Sequence, residues 1–446
     1  MVSENHRGRH HEESVINEQR HNIYMQSIKL RLTVMSWLQF AVWGSYLTSM
    51  GGYLGKVGLG ESIGWFYSVQ GIVSIFMPAL MGIVADRWIP AQRLLGLCHL
   101  LSAALMSYVG YVGMTMGADV TFTDIFPAYT AAVAFYMPTL ALSNSVSYTA
   151  LENAGLDTIK DFPPIRIFGT IGFIAAMWVV DLGGVQHSWG QFFATAAWGV
   201  ALALYSLTLP ACPTNNTKAT GLIEALGLRA FSLFKNRTMM LFFIFSMLLG
   251  VSLQITNGYA NPFISAFEHL PEFKDSFFVE HANMLISLSQ ISETLCILLI
   301  PFFLRRYGIK RVMLIAMLAW VLRFGFFAVG NPAWPGVTLL VLSMIVYGVA
   351  FDFFNISGSL FVDRETDVSI RSSAQGLFML MTNGIGATIG TLSAQAVVNK
   401  FVFIHPDAPS QMHGWSISWA IFATYALIVA LLFIILFRYK GEASTR

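Results

Sequence analysis

Four ionisable side chains, Arg166, Glu293, Arg323 and Asp352, stand inside long apolar runs of this chain, and a fifth, Asp181, stands near the end of one. Placing a charge at the centre of a bilayer costs at least about 2.5 to 3.5 kcal/mol, so each needs a partner or a task. Arg166, Thr170 and Phe173 follow one another at i, i+4 and i+7, which puts a guanidinium, a hydroxyl and a ring on one helical face. The plain alternative for Arg166 is a side chain snorkelling to the membrane surface. Gly169 and Gly172 flank that face and favour close helix approach and burial.

Gln290 and Glu293 are spaced i, i+3, with Ser287 and Ser289 just before them, and Gln254 and Asn257 repeat the spacing around Thr256. Amides also glue helices together without any ligand, but two amide faces beside an intramembrane carboxyl point to polar recognition. Tyr347, Phe351 and Asp352 add two rings and a second acid. Rings for stacking, with amides and acids to read edges and hydroxyls, suit an uncharged aromatic solute carrying a polyol, such as a nucleoside. A phosphorylated solute would need a cationic cluster, and only Arg166 is offered. Arg323 has no partner in its own run and reads as a structural pair or a snorkelling side chain, and His99 reads as a hydrogen-bonded interior histidine. No HExxH, GxSxG or GxxxxGK[ST] occurs, so hydrolase and ATP-driven chemistry lack their residues and no catalytic site is expected.

The elements that must position these residues are membrane helices. Of 446 residues 55% are hydrophobic and 11% charged, whereas soluble domains carry about 25% charged residues. Twelve stretches are long enough to span, near 32–52, 62–85, 93–116, 126–148, 164–184, 189–210, 238–262, 282–304, 312–330, 335–362, 372–396 and 415–437. The expected organisation is an N-terminal tail over 1–31, a six-helix half over 32–210, a central loop over 211–237, a second six-helix half over 238–437 and a tail over 438–446. Alternate connections on the side of the N-terminus hold 21 of the 26 Lys and Arg, against only Lys56, Lys274 and Lys400 on the other. Both termini, the central loop and both tails are therefore expected in the cytoplasm. Residues 1–24 are polar, cannot form a secretory signal and are expected to be unstructured, and Met25 would make a normal start. Cys98, Cys212 and Cys296 form no CxxC pair, so neither a disulfide framework nor a metal site is expected.

Weak internal symmetry relates the halves, as in transporters that alternate access around a mid-membrane site. Ile165-Arg166 and Phe173 are matched by Ile370-Arg371 and Phe378, and Gly82, Asp86, Arg87 and Arg93 by Arg305, Arg306, Gly308, Lys310 and Arg311. The stretches Ser36 to Ser45, Asp161 to Thr170, Leu253 to Asn257, Ser289 to Thr294 and Phe351 to Gly358 resemble the nucleoside:proton symporter family of the major facilitator superfamily, from about Met25 to about Lys440. The resemblance implies an all-α integral membrane protein of the bacterial inner membrane. It implies uptake of purine and pyrimidine nucleosides through a central cavity, driven by protons, with no other cofactor. Its binding positions fall on Arg166, Thr170, Phe173, Gln254, Asn257, Gln290, Glu293, Tyr347, Phe351 and Asp352. Glu293 and Asp352, the acids within spans, are the expected proton-coupling pair. The chain departs from the family in its N-terminal extension, in Val251-Ser252 and in Trp88-Ile89-Pro90. The lipid bilayer is the expected surrounding, with no nucleic-acid or obligate protein partner. A symporter for a sugar or another uncharged polyol is the competing expectation, followed by a sensor or intramembrane enzyme.

Overall fold

A computed structural model describes residues 2–214, 228–367 and 370–439. Most of the central loop and the end of the C-terminal tail lie outside the described residues. In chain order the helices are α1 (Val2–Gly44), α2 (Met50–Lys56), α3 (Ile63–Arg87), α4 (Ala91–Met116), α5 (Phe122–Asn153), α6 (Thr158–Leu182) and α7 (Gly190–Tyr205). After the central loop come α8 (Arg237–Ala266), α9 (Ala282–Val329), α10 (Gly336–Glu365), α11 (Arg371–Met379), α12 (Ala387–Val398) and α13 (Ala408–Leu436). Among the described residues ten helices are long and apolar enough to cross a membrane. Two of the expected spans lie in α9, which reverses at Gly308 with φ at 75°, a left-handed conformation that glycine adopts without a Cβ clash. The first span is the apolar end of α1 continued by α2.

Several expectations are corrected. The polar segment 1–24, expected to be unstructured, continues the first span as helix from Val2, in keeping with its Glu, Gln, Arg and His content and its lack of proline. The first span itself breaks over residues 45–49 before α2. Pro163 and Pro164, expected at the start of the fifth span, lie inside α6, which begins at Thr158. Both prolines are exposed and stand within the first two turns of α6, where few intrahelical bonds are lost. The eleventh span has two wide turns, Leu380–Gly386 and Asn399–Phe403, and π-turns of this kind recur at functional positions.

Helix ends are fixed by short polar side chains. Asn236 accepts from Thr238 N at 2.9 Å and opens α8, and Asp407 accepts from Ser410 N at 2.9 Å and opens α13. Hydrogen bonds from Ser410, side chain first, hold the exposed Asp407 carboxyl below its usual range. Between helices, contact is as close as the backbone permits. A Cβ on Gly172 would stand 2.2 Å from Trp37 O, so α1 and α6 touch backbone to backbone, as the glycines flanking Arg166 implied. Lys29 and Asp161 pair at 2.7 Å across the same two helices. Leu298, Phe302, Leu204 and Ile435 are more than half exposed and present the apolar surface that lipid covers.

Candidate solute-binding cavity

A cavity of about 670 Å³ runs between the first seven helices and the rest. It gathers Arg166, Thr170 and Phe173 from α6, Gln254 and Asn257 from α8, Gln290 and Glu293 from α9 and Tyr347 and Phe351 from α10. Asp352, the tenth expected residue, is not among the residues lining it. One position along α10 from Phe351, it is 5% exposed and its Oδ2 is buried without a hydrogen-bond partner. Helical rotation of about 100° per residue turns Asp352 from the cavity face into the bundle.

The arrangement is aromatic on both walls. Trp43 and Phe173 meet edge to face with centroids 6.3 Å apart, and Tyr347 and Phe351 lie parallel at 5.7 Å and 3°. Phe378, the symmetry mate of Phe173, instead packs in an apolar cluster with Phe242 and Phe354. The Arg166 guanidinium carbon sits 3.9 Å over the Phe40 ring, an attraction worth about 0.5 to 2 kcal/mol depending on desolvation. Arg166 and the two acids lie within electrostatic reach of each other, yet no ion pair joins them among the described residues. Asn257 Nδ2 donates to Gln254 Oε1 at 2.6 Å, which pre-orients both amides towards the space.

Sequence reasoning missed Phe40, Trp43, Gln70, Asn144 and Asn383, all of which line the cavity. Trp43 Nε1 donates to Gln70 Oε1 at 3.3 Å, and Gln70 Nε2 to the Tyr129 hydroxyl at 3.1 Å. The signal was present: each amide is a polar residue in an apolar run, the criterion that had singled out Gln254. His99 is wholly buried, with Nε2 2.8 Å from Gln39 Oε1, as expected of an interior histidine, and it does not line the cavity. Arg323 is 2% exposed and neither snorkels nor pairs with a carboxylate among the described residues.

The end of the bundle away from the N-terminus is cross-linked by polar side chains. Asp181, at the end of α6 as expected, holds His281 Nδ1 at 2.5 Å and accepts from Met284 N at 3.0 Å. Gln186 Nε2 donates to Glu280 O at 2.7 Å, and both Thr48 and Asn261 donate to Asn283 Oδ1 at 3.1 Å. His187 lies 3.1 Å from Asn261 Oδ1 and 2.9 Å from Ser265 Oγ. Burial holds its imidazole below the usual range, with the Asn261 hydrogen bond opposing that shift. Towards the other end the lining continues through Ser74, Pro78 and Ala79 of α3, Asn144 of α5 and Ser373 of α11. The cavity is thus closed on one side and approached from the side of the N-terminus.

A helical membrane bundle enclosing one polar and aromatic cavity, shut at one face, is a transporter of the major facilitator type rather than an enzyme. The likeness to a D-xylose–proton symporter, with a TM-score of 0.68 at 14% identity over 95% of this chain and 99% of that one, carries the fold. The family model described as nucleoside H+ symporter matches residues 25–442, and the chain belongs to that family. It is 49% identical to the nucleoside permease NupG of Escherichia coli K12 over 419 residues, 93% of this chain and 97% of that one. It is also 49% identical to the xanthosine permease of the same organism over 420 residues, with the same coverage. The crystal structure of the nucleoside transporter NupG superposes with a TM-score of 0.84 at 48% identity, covering 93% of this chain and all of that one.

Proposed function

We propose that this transporter takes up purine and pyrimidine nucleosides together with protons across a bacterial inner membrane, with both termini in the cytoplasm. The observation that carries the reading is the convergence of Phe173 and Trp43 from one side, and Tyr347 and Phe351 from the other, on a cavity whose polar groups are amides, hydroxyls, one acid and one arginine. Rings on both walls hold a base, amides read its edge and the ribose hydroxyls, and a single cation is too little for a phosphate. Binding involves Arg166, Thr170, Phe173, Gln254, Asn257, Gln290, Glu293, Tyr347 and Phe351 directly, with Asp352 acting from behind Phe351. The halves 32–210 and 238–437 rock about this site, and the arrangement described is the one that opens to the cytoplasm.

Coupling falls to Glu293 with Asp352. A carboxyl in a dry environment keeps its proton, whereas one facing a guanidinium releases it. Arg166 rests on Phe40, so rocking that brings it towards or away from Glu293 would exchange the proton with the position of the solute. Radiolabelled uridine, adenosine and xanthosine uptake into proteoliposomes, with an acid exterior and with sugars as competitors, tests the reading. Accumulation that collapses with the pH gradient and ignores sugars is expected. Sugar competition, or uptake indifferent to the gradient, would overturn it.

A further inference from the structure

Arg323 is the buried intramembrane charge that the cavity does not use. A cation in this position is costly, it faces no carboxylate among the described residues, and apolar packing could fill its place. Its contacts show what it does instead. Nη1 donates to Ser289 Oγ at 3.2 Å and to Ser343 O at 2.7 Å, and Ser343 Oγ donates back to Arg323 O at 2.9 Å. Ser289 lies on the first arm of α9, next to Gln290 and one turn before Glu293. Ser343 lies on α10, one turn before Tyr347. One guanidinium from the second arm of α9 therefore clips together the two segments that carry every expected site residue of α9 and α10.

The clip also seats a ring. The guanidinium carbon stands 4.5 Å over the centroid of Tyr347, Trp320 meets Tyr347 at 90° and 5.9 Å, and Phe351 lies parallel to it. Arginine suits this place better than lysine, because its planar guanidinium can lie over the ring while Nη1 donates in its plane to both acceptors. The clipped segments have no slack: a Cβ on Gly348 would fall 2.5 Å from Ser292 O, so a small shift of α10 against α9 displaces the whole wall. We propose that Arg323 is a positioning residue of the transport site, which acts through Tyr347 by setting its ring, without touching the solute.

The inference rests on the reading that Tyr347 contacts the nucleoside, and a double-mutant cycle separates the two. Equilibrium binding of uridine, adenosine or xanthosine, whichever wild type binds most tightly, is measured on monodisperse purified protein for Arg323→Gln, Arg323→Lys, Tyr347→Ala and the Arg323→Gln/Tyr347→Ala pair. Arg323→Gln and Tyr347→Ala should each raise Kd by roughly tenfold, the pair should add no more than about twofold to Tyr347→Ala, and Arg323→Lys should recover part of the loss. A wild-type Kd in folded Arg323→Gln, or losses that multiply in the pair, would overturn the proposal. If Arg323→Gln is not recovered folded, Ser289→Ala takes its place in the same cycle under the same criteria. A wild-type Kd in Tyr347→Ala refutes the site reading and this proposal with it, whereas multiplying losses refute the role of Arg323 alone.

Discussion

Phe351 is the residue on which recognition can be tested most directly. It lines the cavity parallel to Tyr347, and stacking of a base on a ring is worth about 1 to 3 kcal/mol by alanine substitution. Phe351→Ala should therefore weaken nucleoside binding by about tenfold or more, and Phe351→Tyr should change it little; equal tolerance of both in a binding assay would remove the stacking role. Glu293 and Asp352 stand differently towards the solute, one on the wall and one behind it. An amide keeps the shape of either but cannot cycle a proton. Glu293→Gln and Asp352→Asn should lose accumulation driven by a pH gradient and keep nucleoside exchange, with Asp352→Asn keeping binding nearer to wild type. Full gradient-driven accumulation in both would show that the proton travels elsewhere. Of the ten residues read from spacing and resemblance, the nine that line the cavity were legible because helical periodicity puts a polar or aromatic group on a shared face. The position of Asp352 was not, since the rotational setting of α10 depends on what packs around it.

Among the elements, α1 and α6 form the seat of Arg166, and their contact depends on a residue without a side chain. Gly172→Leu would drive carbons into the Trp37 carbonyl, where a Cβ already falls at 2.2 Å. Overpacking of this kind costs about 1 to 3 kcal/mol, so a lower unfolding temperature in detergent and reduced membrane abundance are expected. Unchanged thermal stability would mean that the helices separate freely. The length of most spans was legible, because a run of about 20 apolar residues can hardly be anything else. The break over residues 45–49 and the wide turns near Leu380 were not, since local propensity is overridden there by how the chain fits its neighbours.

The whole molecule is shut on one face by side chains from both ends of the chain: Thr48, Asp181, Gln186 and His187 against Asn261, Ser265, His281 and Asn283. Opening that face has to break these bonds, so weakening them should populate the opposite state. In a Leu47→Cys background, the outer end of the cavity carries a thiol that an impermeant maleimide, added from the side away from the N-terminus, reaches only when this face opens. Adding Asp181→Asn should speed that labelling several-fold, as expected if one hydrogen bond of about 1 to 2 kcal/mol is lost from the closed state. Unaltered labelling would show that the Asp181–His281 pair is not part of the lock.

The sequence by itself determined that this chain is a membrane-embedded helical transporter, where its spans lie and which polar residues they carry. Those facts depend on composition and periodicity, and lipid enforces both, since every backbone group within it must be bonded inside a helix. The tertiary structure decided which polar residues share one cavity, that Trp43 and Gln70 join them, that Asp352 stands behind the wall and that Arg323 clips α9 to α10. It also decided which face is closed. Such matters turn on helix rotation and on contacts between residues a hundred or more positions apart, as between Asp181 and His281 or Thr48 and Asn283, and no local pattern records them.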